Sequence, residues 1–402
     1  MPADPATTPP TGHPDDVNPL WGEDWPEVRA LWPLERTVAH LNHGSYGAVP
    51  TAVLEEQQSW RERMEANPVR FFAREQPDAL DQARAEVAQF LGVEGEALAF
   101  VPNATTAVST VLSRVHLGAG EQVLLTDHTY GAVRIAAQRW AEAAAAEVVT
   151  VHVPLAAEED EVCELVTGAV TERTRLAVLD HVTSPTARRL PLVRLVPELQ
   201  DRDVVVLVDG AHAAGMLDVD LDGVGADFWT GNLHKWCCAP RGTAVLHAAA
   251  QHRARLRPLV ASWGEPHGFP HSFQDVGTQD LTAWLAAPRA LRTLERLDLA
   301  RVRRHNVELA VAGQVEVARG LGLEPAQLPR DPAVSMQLVP LPAGVATTED
   351  DADALQARIG TAAGVEVAVT SWDGRGFVRV SAHVYNCPAD DTRLATALPA
   401  LL

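Results

Sequence analysis

The sequence has almost no lysine, few cysteines and no long apolar run. Lys235 is the only lysine, so all the other residues among the 33 lysines and arginines of the chain are arginine. Cys163, Cys237, Cys238 and Cys387 show no C-x-x-C spacing, which is typical of a protein from a reduced cytosol. The absence of an apolar run of roughly 18 residues, and of a basic and apolar leader, predicts neither a transmembrane helix nor a signal peptide. We therefore expect a cytoplasmic protein.

Excess positive charge is also lacking, because the formal net charge is −20. This balance argues against nucleic acid and anionic membrane surfaces as partners, although it says little about a small substrate. With 402 residues, 47% of them hydrophobic and 21% charged, the chain can bury a large core. These totals predict a soluble globular protein with a large domain and a smaller one.

The single lysine is the first candidate for chemistry. Arginine stays protonated, whereas a lysine amine can lose its proton, attack a carbonyl and form a Schiff base. An arginine-rich composition would also leave an occasional lysine by chance, but such a residue usually faces solvent. Lys235 instead follows the apolar and small residues 226–231. We therefore interpret Lys235 as a functional residue.

Short apolar runs alternate with helical stretches through the first two thirds of the chain. The runs are Ala97–Val101, Val123–Thr126, Val148–Val153, Leu176–Leu179, Val204–Val208 and Ala244–His247. Apolar strands separated by helices predict an α/β fold with a mainly parallel sheet covered on both faces. Further along, Ala290–Gly322 has the pattern of one long amphipathic helix, and three later strands predict a small α+β domain.

These patterns predict three regions. Residues 1–30 form a flexible N-terminal arm, residues 31–288 a large α/β domain, and residues 289–402 a small α+β C-terminal domain. The segment 31–49 belongs to the large domain or packs with the small one.

Polar side chains at strand ends extend the candidate site. Asp209 ends a buried strand, where ligand groups gather in open α/β sheets, although a turn-capping aspartate is the common alternative. His212 follows it and either contacts a ligand or is merely packed. Thr105 and Thr106 open a helix after a strand, where hydroxyls and free N–H groups hold anions, or where they only cap the helix.

Two rings and one arginine are further candidates. His128 and Tyr130 follow the next strand, and either ring can stack on a ligand or belong to the core. Arg379 lies in an alternating strand of the C-terminal domain. It is suited to bind a carboxylate, or it faces solvent at a sheet edge.

Together these motifs resemble the class V aminotransferase-like pyridoxal phosphate enzymes, in the branch of isopenicillin N epimerase. The resemblance spans nearly the whole chain after the N-terminal arm. The motifs follow the family order and are Leu41–Gly47, Asn103–Thr106, Asp127–Ala132, His181–Thr186, Val208–His212, Thr230–Trp236, Gly277–Asp280 and Arg379–Ala382.

The resemblance implies fold-type I architecture, pyridoxal 5'-phosphate as cofactor, an amino acid substrate and no metal. Lys235 would carry the cofactor as a Schiff base, Asp209 would pair with its pyridine nitrogen, and Arg379 would bind the substrate carboxylate. The other residues implied are Thr105, Thr106, Asn232 and His234 at the phosphate, Ser184 near the ring oxygen, His128 or Tyr130 stacked on the ring, and Asn42, His43 and Gly44 at the substrate carboxylate. With Asp209 as the partner of the ring nitrogen, His212 would contact the ring hydroxyl or the carboxylate shell. Thr278 matches a residue lent across a dimer interface, which implies a homodimer with shared sites.

The reaction is less defined by the sequence. Residues 364–377 contain no cysteine at the position where cysteine desulfurases carry their nucleophile, so desulfurase activity is not expected. No second base stands out, which favours β-elimination of a cysteine S-conjugate or sulfoxide, in specialised metabolism such as antibiotic biosynthesis. The alternatives are epimerisation, transamination, decarboxylating deamination, or a non-catalytic binding protein on the same fold. A nucleotide-binding protein is disfavoured because neither G-x-G-x-x-G nor a P-loop is present.

Overall fold

A computed structural model describes residues 18–402, and most of the predicted arm lies outside this range. No helix among these residues is long and apolar enough to cross a membrane. The strands of the described chain are β1 (Ala39–Leu41), β2 (Leu98–Val101), β3 (Gln122–Thr126), β4 (Glu147–Val151), β5 (Thr174–Asp180), β6 (Val205–Asp209), β7 (Phe228–Asn232), β8 (Ala244–Ala248), β9 (Met336–Pro340), β10 (Val365–Trp372) and β11 (Arg375–Ser381).

The larger sheet has seven strands in the order β2-β8-β7-β6-β5-β3-β4. β3 to β7 pair in parallel, and only β8 and β2 run antiparallel to their neighbours. Successive side chains point to opposite faces: Val123 and Leu207 join one buried cluster, whereas Leu124 and Val206 join another. Both faces are therefore covered, and the predicted mainly parallel sheet is confirmed.

Helices connect these strands and cover the sheet. The longer helices among residues 18–402 are Trp25–Ala30, Thr51–Ala66, Gln76–Phe90, Ala104–Leu112, Gly131–Ala143, Glu159–Gly168, Leu192–Gln200, Ala287–Arg296, Leu299–Gly320, Glu349–Ala363 and Pro388–Ala397.

The smaller sheet has the order β1-β10-β11-β9. β9, β10 and β11 are antiparallel, and β1 adds in parallel to β10 through the pairing of Ala39 with Val365. A segment near the N-terminus is thus part of the C-terminal sheet. This pairing brings the turn after β1 close to Lys235.

The flexible arm predicted for residues 1–30 extends too far. Residues 25–30 form a helix, and the side chains of Trp21 and Trp25 are almost completely buried. The Trp25 indole N–H donates a hydrogen bond to the Val384 carbonyl at 2.7 Å. Burial of two large aromatic rings stabilises this segment against the C-terminal part of the chain.

The single helix predicted over Ala290–Gly322 is wrong, because the chain breaks at residues 297 and 298. Asp298 has a φ of 59°, outside the helical region, and its carboxylate accepts from the Arg301 N–H as the cap of the second helix. The apolar period continues across this break, so the pattern did not reveal it.

β7 is a central strand that the apolar pattern did not predict. Its residues Thr230, Gly231 and Asn232 are fully or nearly buried but not apolar. A Cβ at Gly231 would lie 2.3 Å from the Trp229 ring, and one at Gly210 on the neighbouring chain segment would lie equally close. Glycine is needed at both positions because the indole fills that space.

Candidate active site

Lys235 lies just beyond the carboxyl end of β7. Its backbone segment is in close contact with two glycine-containing segments of the chain. A Cβ at Gly47, where φ is 68°, would lie 2.1 Å from the His234 carbonyl oxygen. A Cβ at Gly215, where φ is 86°, would lie 2.5 Å from the Trp236 carbonyl carbon. Only glycine permits both close approaches. The backbone around Lys235 is therefore fixed by residues far apart in sequence.

The Lys235 amine lies in an enclosed and polar environment. Its Nζ is 3.1 Å from Nε2 of His212. Burial and, to a lesser extent, the charge of Arg379 lower the pKa of Lys235 to about 7, against the opposite effect of Asp209. A substantial fraction of the amine is therefore unprotonated near neutral pH, as a nucleophile or base requires.

Two buried carboxyl groups lie side by side at the ends of β6 and β5. Asp209 and Asp180 are opposite each other in the strand register. Burial raises the pKa of Asp209, although the Ala211 N–H donates to its Oδ1 at 2.9 Å. The pKa of Asp180 is well above its usual value because of burial and then the charge of Asp209. Like charges at this distance disfavour double ionisation, so the pair retains a proton.

Asp180 was not among the predicted site residues. The strand-end reasoning that found Asp209 applies to it equally, because it directly follows the apolar run ending at Leu179.

The N-terminus of the helix Ala104–Leu112 faces the same region. Asn103 caps this helix, because its Oδ1 accepts from the Thr106 N–H at 2.8 Å and from the Thr106 hydroxyl at 3.0 Å. Asn232 of β7 accepts from the Ala104 N–H at 2.9 Å. Thr105 lines the cavity, whereas the Thr106 hydroxyl is already engaged with the cap.

Arg379 projects from β11 and is almost completely buried. Its Nη1 donates to Ser184, with 3.2 Å to the Ser184 Oγ, and its Nη2 donates to the Ser45 Oγ at 3.3 Å. Its Nε has no hydrogen-bond partner among the described residues. Burial lowers the pKa of Arg379 to about 10, so the side chain remains charged at neutral pH. A buried cation with a free donor is suited to bind an anionic group.

The turn predicted at the substrate carboxylate contributes different residues from those expected. His43 points away from the cavity, with Nδ1 2.8 Å from the Tyr385 hydroxyl and Nε2 3.1 Å from the Lys235 carbonyl oxygen. Gly44 packs under the Met336 sulfur.

Asn42 does not line the cavity either. Its Oδ1 accepts from the Ser45 hydroxyl at 2.7 Å. Ser45 and Tyr46, the next residues of the motif, line the cavity instead.

His43 also belongs to a buried cluster behind Lys235. The donor atoms of His43, Cys238 and His383 lie within 4.8 Å of one another. The His43 and His383 rings stack with centroids 4.2 Å apart. Both His43 nitrogens already have partners within the protein, so this ring supports the Lys235 backbone.

His128 and Tyr130, the two rings predicted to stack on the cofactor, lie in different environments. His128 is buried against Trp372, with ring centroids 4.7 Å apart. Its nitrogens lie 2.6 Å from the Thr186 hydroxyl and 2.7 Å from the Val153 carbonyl. Tyr130 lines the cavity and is 45% exposed. The structure therefore brings Tyr130, and not His128, to the cavity, a distinction that adjacency in sequence could not provide.

The cavity in front of Lys235 has a volume of about 200 Å³. Its wall combines the ends of β5, β6 and β7 of the larger sheet, the segments that follow strands of that sheet, and the turn after β1. They are Ser45, Tyr46, Asn103, Ala104, Thr105, Tyr130, Asp180, Val182, Ser184, Asp209, Ala211, His212, Asn232, His234 and Lys235.

Thr278 lies elsewhere, in a surface groove that includes Pro68, Val69, Phe72 and His271. The side chain of Val69 is 75% exposed there. Thr278 therefore does not face the Lys235 cavity of its own chain.

The chain is similar in sequence to known proteins. Residues 45–394 match the family model described as aminotransferase class-V. The chain is 36% identical to an isopenicillin N epimerase from Amycolatopsis lactamdurans, over 94% of this chain and 98% of that protein. It is 29% identical to a probable chloroplastic L-cysteine desulfhydrase from Arabidopsis thaliana, over 90% of this chain and 83% of that protein.

The fold has a counterpart among solved structures. The cystine C–S lyase C-DES, in complex with its reaction product cysteine persulfide, superimposes with a TM-score of 0.76. The sequence identity is 20%, and the match covers 90% of this chain and 97% of that one. Together with the family match over most of the sequence, these findings show that the chain belongs to the class-V aminotransferase family.

Proposed function

We propose that this protein removes the Cα proton of a pyridoxal phosphate-bound amino acid and then eliminates a sulfur substituent from Cβ of a cysteine S-conjugate or sulfoxide. The observation that carries this proposal is the enclosed Lys235 amine, whose Nζ lies 3.1 Å from Nε2 of His212 and whose pKa is lowered to about 7 by burial and by the Arg379 guanidinium, with the Asp209 carboxylate acting in the opposite direction. A non-catalytic role would not require a reactive amine between groups of these opposite charges.

Pyridoxal phosphate is the cofactor of the class-V aminotransferase family, and the residues around Lys235 fit it. A lone amine faces a strand-end carboxylate, and a helix N-terminus is available for a phosphate. Lys235 would hold the aldehyde carbon, Asp209 the ring nitrogen, and Thr105 with Asn232 and His234 the phosphate. When bound, the protonated ring accepts the electron pair that remains after the Cα proton leaves.

The remaining roles in the reaction fall to individual side chains. Arg379 binds and orients the substrate carboxylate, with its fork held by Ser45 and Ser184. With cofactor and substrate bound, the Lys235 amine would take the Cα proton and could deliver it to the leaving sulfur. Asp209 keeps a negative charge at the ring nitrogen, and the exposed ring of Tyr130 covers the cavity from the solvent side.

Elimination is favoured over desulfuration because no thiol is available to receive sulfur. All four cysteines are buried, and none lines the cavity. The Cβ–S bond would break as the electron pair from Cα forms the Cα–Cβ double bond, and the sulfur would take a proton and leave as a thiol from an S-conjugate or as a sulfenic acid from a sulfoxide. Water would then hydrolyse the remaining fragment to pyruvate and ammonia. One base, Lys235, is sufficient for this sequence of steps. The similarity to a probable L-cysteine desulfhydrase supports it.

Epimerisation is the second candidate. The higher identity to an isopenicillin N epimerase supports it, as does the phenol of Tyr130 in the cavity wall, which can donate a proton. Transamination and decarboxylating deamination use the same Lys235 and remain further alternatives.

We also propose a cytoplasmic homodimer. The groove that contains Thr278 is partly apolar and exposes Val69, which suits a surface covered by a second copy. In such a dimer Thr278 would reach the cofactor phosphate of the partner subunit.

The test is to incubate the holoenzyme with S-substituted cysteines in D2O, and to measure pyruvate release and Cα deuterium incorporation. Pyruvate release supports the lyase. Deuterium exchange with inversion, and without pyruvate, rejects elimination in favour of epimerisation. Lys235→Arg is the matched control, because it retains a positive charge but cannot form a Schiff base. Activity that survives in this variant would refute the assigned role of Lys235.

A further inference from the structure

Trp236, His212 and Lys235 form a chain of three buried or enclosed polar groups. The Trp236 indole N–H points to Nδ1 of His212 at 3.4 Å. On the other side of the same imidazole, Nε2 lies 3.1 Å from the Lys235 Nζ. Trp236 and His212 are each only 2% exposed, so water does not readily replace either partner.

The donors and acceptors of Trp236, His212 and Lys235 permit one arrangement of protons among the three side chains. An indole N–H can only donate, so Nδ1 of His212 must accept. Burial keeps the pKa of His212 well below its ordinary value, so the ring is neutral and carries one proton, on Nε2. That N–H faces Nζ of Lys235. An ammonium group has no lone pair with which to accept it, whereas a neutral amine does.

We propose that Trp236 is a positioning residue that fixes the Nε2–H tautomer of His212 and thereby favours the neutral, reactive form of the Lys235 amine. This inference deepens the proposed function, because a neutral amine is what both cofactor attachment and Cα proton removal require. The residue that follows the reactive lysine in sequence thus acts on it through a histidine 24 residues away.

Other charged and titratable groups also face Lys235. Arg379 disfavours the ammonium form and Asp209 favours it. His43 accepts no proton readily, since burial lowers its pKa to about 3, and burial lowers the pKa of His234 to about 4. Both rings are therefore neutral at neutral pH. The variant below leaves all four groups unchanged, so they do not account for a difference between variant and wild type.

The presence of a single lysine permits a direct test. In full-length protein grown with [13Cε]lysine and freed of cofactor, the one lysine signal reports the titration of Lys235. In Trp236→Phe, His212 is free to carry its proton on Nδ1, so Nε2 can accept from the ammonium form. The lysine pKa should then rise by about one pH unit. An unchanged or lower pKa would overturn the proposal.

The matched control is Trp229→Phe. Trp229 is another buried tryptophan whose indole donates to Nδ1 of a histidine, His181, at 3.3 Å. Because His181 does not contact Lys235, the loss of this indole should leave the lysine pKa unchanged. An equal rise in both variants would attribute the effect to loosened packing, and would overturn the proposal.

The tautomer itself can be observed in the wild-type protein, which does not depend on the folding of any variant. In 15N-histidine-labelled protein, the His212 signals are those lost in His212→Gln. They should show an unprotonated Nδ1 and a protonated Nε2. Trp236→Phe should increase the population of the Nδ1–H tautomer. A protonated Nδ1 in the wild type would overturn the proposal. Neither experiment needs cofactor or substrate, so its outcome is separable from that of the proposed reaction.

Discussion

Replacement of Arg379 by methionine should damage substrate binding and change the titration of Lys235 at the same time. The Arg379 fork is held by Ser45 and Ser184, and its Nε has no partner among the described residues. One charge-assisted hydrogen bond contributes about 1.5–3 kcal/mol. Loss of two such bonds to the substrate carboxylate should lower kcat/KM by about 150- to 25,000-fold.

The same substitution removes a positive charge that lowers the pKa of Lys235. The lysine pKa should therefore rise in Arg379→Met, as followed by the single lysine signal in labelled protein. Arg379→Lys should keep the pKa low because it keeps the charge. It should still lose much of the kcat/KM because an ammonium cannot make a bidentate contact.

Arg375 provides a control on the same strand, since its exposed side chain lies over the Phe377 ring and not in the cavity. Arg375→Met should leave both kcat/KM and the lysine pKa unchanged. An unchanged kcat/KM in Arg379→Met, or an equal loss in Arg375→Met, would refute the assignment of Arg379 to the substrate carboxylate.

Two further predictions concern the carboxyl pair and the central strand. Asp209→Asn should abolish tight cofactor binding, measured by visible absorbance titration, whereas Asp180→Asn should retain it because burial and the charge of Asp209 keep the pKa of Asp180 well above its usual value. A carboxyl whose folded pKa is raised stabilises the fold fully below its unfolded pKa and less as pH rises, so Asp180→Asn should flatten the decline in urea-unfolding free energy by about 1.4 kcal/mol per pH unit. Gly231→Ala should destabilise the protein by about 1–3 kcal/mol in urea unfolding because its Cβ would collide with Trp229, while Gly168→Ala, with open space around it, should not.

Lys235 and Asp209 could be found from the sequence because each carries a strong local signal. A lysine that is unique among many arginines is conspicuous in the composition, and an acid at the end of an apolar run marks a sheet edge where ligands bind. Asp180 has the same signal as Asp209. It differs from Asp209 in that no glycine turn follows it.

Other site residues depend on side-chain direction, which sequence does not provide. His128 and Tyr130 are two positions apart, yet one ring is buried against Trp372 and the other lines the cavity. His43 and Ser45 likewise turn to opposite sides of one short motif. These choices are made by packing between distant segments.

The strand pattern found the fold wherever burial coincides with apolar composition. It failed for β7, where polar Thr230 and Asn232 are buried and their side chains bond to the Val245 carbonyl of β8 and to the Ala104 N–H. It also failed at Asp298, where one capping side chain interrupts a continuous apolar period. In both places hydrogen bonds, and not the burial of apolar side chains, determine the local backbone structure.

Borohydride reduction of the holoenzyme, followed by digestion and mass spectrometry, tests the central assignment most directly. Because the chain has one lysine, a Schiff base to a lysine side chain can form at only one position. The account predicts loss of the visible absorbance band and the mass of reduced cofactor on the peptide that contains Lys235, with neither change in Lys235→Arg. Absence of the band after cofactor is added, or an unmodified Lys235 peptide after reduction, would contradict it.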